Sequence, residues 1–132
     1  MDNKDQLRDL SERCTFLQSQ DCPEDELLAA LDDPDPMVRL AAVRGTGVTE
    51  RVAMKALDDP VREIRQWAVL GTGATERVAL AGLDDVYWGV RRGAVKGPGG
   101  SEAVARKALG DETVAVRRPA QEFLNDPRIT EM

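Results

Sequence analysis

Apolar positions along this chain come in short bursts, four residues apart, separated by acidic and glycine-rich breaks. Val38 and Ala42, Ile64 and Ala68, Val90 and Ala94, and Val116 and Ala120 form one set, and side chains four apart share one face of a helix. Val43, Val69 and Val95 broaden that face. A second set pairs Val52-Ala53, Val78-Ala79 and Val104-Ala105 with Leu57, Leu83 and Leu109. Each of these bursts follows a hydroxyl and an acid: Thr49-Glu50, Thr75-Glu76, Ser101-Glu102. The hydroxyl suits the free N–H groups of a helix start, and the acid suits the helix dipole. The pattern predicts two short helices per unit, each about two to three turns and too short to stand alone in water.

The units keep a fixed register. LDDP begins at Leu31 and Leu57, LDDV at Leu83 and LGDE at Leu109, a constant spacing of 26 residues. The first helices are expected over MVRLAAVRG, EIRQWAVLG, GVRRGAVKG and VAVRRPAQEFL. Gly45, Gly71 and Gly97 close them, where a positive φ is expected. Helix pairs this short must be buried by their neighbours, which predicts an all-α solenoid. Upstream, CPEDELLAALDDP reads as a degenerate unit with Pro23 at a helix start. Leu7, Leu10, Cys14 and Leu17 predict an amphipathic helix from about Asp5 to Gln18. The expected organisation is therefore an N-terminal cap over residues 1–22 and a repeat array over 23–132, its units starting near 31, 57, 83 and 109. Phe123 and Leu124, standing where earlier units have a glycine and its follower, close the other end.

Composition agrees with tightly packed helices. Of the 132 residues, 42% are hydrophobic and only 4% aromatic, which suits close-packed helices more than a β-sandwich. No apolar run is long enough to span a bilayer, and MDNKDQLRDLSERC lacks a signal-peptide core, so a cytoplasmic address is expected. There is no histidine, which removes the commonest general base and most zinc chemistry. Neither a catalytic group nor a metal nor another cofactor is expected. The net charge of −6 is concentrated at the start: residues 1–30 carry eight acids and three bases, the rest sixteen and fifteen. That balance disfavours non-specific binding to nucleic acid.

At DDPDPMVRLAAV, with its acidic turn and the Val-Arg of the following helix, the chain resembles HEAT-like repeat families. The short unit brings it closer to the leucine-rich-repeat variant type. The resemblance covers Pro23 to Leu124 and implies a right-handed α-solenoid of about four two-helix units. It also brings functions with it: a DNA-associated protein of the alkylpurine glycosylase type, or a repeat subunit of a larger enzyme such as a bilin lyase. Members of the variant family can carry an iron–sulfur cluster on N-terminal cysteines. This chain has Cys14 and Cys22 alone, two of the four that such a cluster usually takes.

Candidate residues divide by whether they recur. Asp33, Asp59, Asp85 and Asp111 share one repeat position, and Arg39, Arg65, Arg91 and Arg117 another six residues on. Residues present in every unit meet a need of every unit, so these are expected to form a structural ladder. The glycines of GTG at 45–47 and 71–73 and of GPGG at 97–100 are expected in inter-helix turns, since no Gly-Lys-Ser/Thr ending accompanies them. On the second helices, Arg51, Lys55, Arg77, Arg106 and Lys107 occupy exposed positions, with Met54 and Leu80 among them. The resemblance puts that surface on the concave side. The strip is expected to face another protein with an acidic or mixed apolar surface; nucleic acid is the weaker candidate and no membrane partner is expected. Tyr87 and Trp88 do not recur. They are either binding anchors at an inter-repeat turn or packing over Gly89 and Gly93. Trp67 is expected to fill the space above Gly93. The function this points to is a non-catalytic protein-binding scaffold or adaptor.

Overall fold

The computed structural model describes residues 3–130, and these are all helix and connecting turn, with no strand. A long helix, α1 (Asn3–Gln18), opens the chain. First helices follow as α3 (Pro36–Arg44), α5 (Arg62–Leu70), α7 (Trp88–Lys96) and α9 (Val114–Leu124). Second helices are α2 (Glu24–Ala30), α4 (Glu50–Ala56), α6 (Glu76–Gly82) and α8 (Glu102–Ala108), and a single turn, α10 (Pro127–Thr130), ends the described chain. The first three first helices begin one residue before their predicted starts, at Pro36, Arg62 and Trp88, and the fourth begins at Val114 as predicted. Trp88 is therefore the first residue of α7 rather than part of a turn.

The helices form two layers. α1, α3, α5, α7 and α9 pack in sequence, α2, α4, α6 and α8 pack in a second row, and each pair α2–α3, α4–α5, α6–α7 and α8–α9 joins the rows. Val38, Val52, Ile64, Val78, Val90, Val104 and Val116 lie between the layers, all at 1% exposure or less. Alanines at 42, 53, 68, 79, 94 and 105 are equally buried, and their small side chains let the axes approach closely. On α1, Leu17 is buried and Leu10 and Cys14 pack partly against the same core. Leu7 lies outside the residues whose side chains are described.

The second helices start as their sequence predicts. Val52 N–H donates to Thr49 Oγ1 at 3.3 Å, Val78 N–H to Thr75 Oγ1 at 3.4 Å and Val104 N–H to Ser101 Oγ at 3.3 Å. The glycines at the ends of the first helices differ from expectation. Gly45, Gly71 and Gly97 have φ of −76°, −88° and −79°, all extended backbone, and no described residue has positive φ. Room, not conformation, excludes a side chain there. A Cβ on Gly45 would stand 2.7 Å from Cα of Gln18, and one on Gly97 would run into the Val69 carbonyl of the preceding unit. With Phe123 in place of that glycine, α9 continues to Leu124.

Candidate interaction surfaces

The recurrent aspartates and arginines meet in one continuous network. Oδ1 of Asp33, Asp59, Asp85 and Asp111 accepts the backbone N–H two residues ahead, at 2.8–2.9 Å. These Asx turns set the direction in which each first helix starts. The second carboxylate oxygen accepts from the preceding unit: Arg39 Nε donates to Asp59 at 2.9 Å, Arg65 to Asp85 at 2.8 Å and Arg91 to Asp111 at 2.8 Å. The other arm of each arginine turns back, Nη1 donating to the carbonyls of Asp33, Asp59 and Asp85 at 2.9 Å. Each of these three arginines thus ties its own turn to the next. Arg13 of α1 supplies Asp33 with the same kind of partner at 2.9 Å.

Charge in this network is committed. Burial alone would raise the Asp111 carboxyl, but the hydrogen bond from Arg91 and the N–H of Thr113 outweigh it and hold it below the ordinary aspartate value. Asp33 is lowered chiefly by the Asp35 N–H, with Arg13 adding to it. Both oxygens of each ladder carboxylate are taken up by hydrogen bonds to a backbone N–H and an arginine.

The cations of the second helices do not form an open basic strip. Lys55 Nζ donates to Asp32 at 2.8 Å and to the Leu28 carbonyl at 2.9 Å. Arg51 reaches Glu24 at 3.4 Å and Lys107 reaches Asp84 at 3.4 Å, while Arg106 pairs with Glu102 of its own helix at 2.7 Å. Among the described residues only Arg77 of the set has no carboxylate partner. For Arg51, Lys55 and Lys107 the acid lies 23 to 27 residues earlier in the chain, a feature hidden when the helices are read one at a time. Met54 and Leu80 are half-buried against the core and add no exposed apolar patch.

Free charge and exposed aromatic surface lie instead on the outer side of the first helices. Arg92, Lys96 and Arg118 are exposed there with no ion pair among the described residues. Trp67 is 36% exposed, Leu70 44% and Trp88 43%. The Arg44 guanidinium of α3 lies 5.2 Å from the Trp67 ring centroid, and the atoms nearest a Cβ at Gly93 belong to Val69 and Leu70. Tyr87 and Trp88 part company. The Tyr87 ring folds back over Gly89, half-buried, with the Arg62 guanidinium 4.6 Å from its centroid. Trp88 stands outside it, the two ring centroids 5.6 Å apart. Arg92 and Arg118 follow the buried Val90 and Val116 by two residues, the outward angle on a helix. That spacing was the available signal for this face.

Cys14 and Cys22 are free thiols, both pushed above the ordinary thiol value, mainly by burial. No group of His, Cys, Asp and Glu suited to a metal occurs among the described residues, and no helix there is long and apolar enough to cross a membrane. No protein-family model, curated protein or solved structure matches the chain.

Proposed function

We propose that the chain is a non-catalytic protein-binding scaffold: a right-handed, HEAT-like α-solenoid close to the leucine-rich-repeat variant type. It acts in the cytoplasm on a protein with an acidic, partly apolar surface. The docking face is the outer side of the first helices, not the second-helix strip. One observation carries this reading: Trp88 is 43% exposed, its neighbour Tyr87 is held by Gly89 and Arg62, and Arg92, Lys96 and Arg118 of the same layer have no ion pair among the described residues. Tryptophan and arginine are the residues that most often dominate interface energy. An aromatic anchor fixed before binding loses little conformational freedom on docking.

The glycosylase-type reading relied on second-helix cations to hold phosphates, and Arg51, Lys55, Arg106 and Lys107 already carry acids of their own. The test compares Trp88→Ala and Lys107→Ala in affinity capture from native lysate, with circular dichroism to show that both fold. Loss of a captured protein in Trp88→Ala alone supports the outer face. Equal capture by wild type and both variants overturns it. Binding to duplex DNA that falls steeply with salt and disappears in Arg92→Ala would favour nucleic acid instead.

A further inference from the structure

Among the described residues the ladder has one rung without its second partner. Arg39, Arg65 and Arg91 each grip a carbonyl of their own turn with Nη1 and an aspartate of the next unit with Nε. In the last two, Nη2 completes a fork to the same carboxylate at 3.3 and 3.4 Å. Arg117 makes the first half of this arrangement, Nη1 to the Asp111 carbonyl at 2.8 Å. Its Nε and Nη2 have no acceptor among the described residues. The guanidinium is half-buried and lines a hollow of about 450 Å³ with Leu109, Val114, Arg118 and Gln121. Gln121 stands where Val43, Val69 and Val95 are buried by the following unit, so this end of the stack has a polar wall and an apolar floor.

We infer that Arg117 and this hollow are a carboxylate-recognition site for an aspartate-bearing turn of an acidic protein segment. The ligand class is read from the protein itself: three equivalent arginines already hold an aspartate whose other oxygen accepts the N–H two residues on. Nη1 is anchored, which fixes the plane of the guanidinium and aims its free edge before any ligand arrives, so a planar carboxylate meets a preformed fork. Arg118 adds a second positive charge beside it. The site lies beside the last described first helix and shares Arg118 with the Trp88 face, but its fork on Arg117 does not rest on that reading.

The probe is a blocked octapeptide of sequence LDDPVREI, the turn that Arg39 holds within the protein, titrated into the full chain. Binding is followed at the Arg117 Nε–H resonance. Saturable movement of that resonance is the expected result, with at least tenfold weaker binding for the D59N form of the peptide. Arg117→Lys keeps the charge but not the fork, and should also bind at least tenfold more weakly. Circular dichroism and thermal unfolding of this variant show whether the last unit stays folded. Arg118→Gln should weaken binding only severalfold and keeps the test informative if Arg117→Lys unfolds. The inference fails if the Arg117 resonance does not move, if Asp and Asn peptides bind alike, or if a folded Arg117→Lys binds as wild type does.

Discussion

The two layers of helices use the same charges in different settings. Between first helices, the arginine and aspartate side chains of the ladder are 5–14% exposed and each has several hydrogen bonds. In the second row, Lys55–Asp32 and Lys107–Asp84 likewise join residues more than twenty apart in the chain, yet their side chains are 38–77% exposed. In formal charge the two sets are alike. Burial separates them, because water and mobile ions screen an exposed pair, while a buried charge that loses its partner keeps the whole cost of desolvation. The ladder is therefore a structural necessity once built, and the outer pairs contribute little.

The largest effect should come from the middle of the ladder. Arg65→Ala leaves Asp85 with its own Asx turn but no counter-charge, and removes the tie to the Asp59 carbonyl. The expected loss is about 3–5 kcal/mol, the usual cost of stripping one partner from a buried pair, read from urea unfolding. A loss below about 1 kcal/mol would place the ladder with surface pairs and erase the distinction.

Acid should act next, and through the same rungs. Asp33 and Asp111 have carboxyls lowered in the folded chain, so the unfolded chain takes up protons first as pH falls. Their contribution is present in full above the ordinary aspartate value, about pH 4, and is lost as pH falls through the lower, folded-state values. The thermal midpoint followed from pH 7 downward should hold until that region and then drop. Asp111→Asn should start less stable at neutral pH and show a shallower acid decline. Equal slopes for the two proteins would remove Asp111 from the effect.

How much of this was legible depended on whether a residue's job lies within its unit or between units. Thr49, Thr75 and Ser101 act on an N–H three residues away, and sequence alone identified them as caps. The ladder residues were visible as positions, because stacking demands the same residue in each unit. Their partners were not: each arginine reaches an aspartate twenty residues ahead, a distance set by how units stack. Gly97 was placed correctly and explained wrongly, since the carbonyl that excludes a Cβ belongs to Val69 in another unit. At Gly93 the atoms nearest a Cβ belong to Val69 and Leu70, residues that the sequence did not single out for that space. The basic strip looked open because the acids facing Arg51, Lys55 and Lys107 sit 23 to 27 residues earlier in the chain.

The smallest predicted effects sharpen the comparison most. Lys107→Ala removes a 3.4 Å pair with an exposed Asp84 and should cost no more than about 0.5 kcal/mol. The opposite experiment is built into the repeat, for Ala81 occupies the position held by Lys55 and Lys107 in the adjoining units. Asp58 is consequently without a cation among the described residues, beside a hollow of about 270 Å³ that Met54, Leu57 and Ala81 help to line. Lys55 shows the geometry a lysine would adopt there, with Nζ shared between the Asp32 carboxylate of its own unit and the Leu28 carbonyl of the preceding one. Ala81→Lys should reproduce that junction and raise stability by about 0.5 kcal/mol, the return from a solvated pair after the side chain has been ordered. Geometry would then be nearly as regular in the second layer as in the first, with a far smaller energy attached to it. A gain from Ala81→Lys as large as the loss from Arg65→Ala would show that pair geometry, and not burial, sets the strength of both layers.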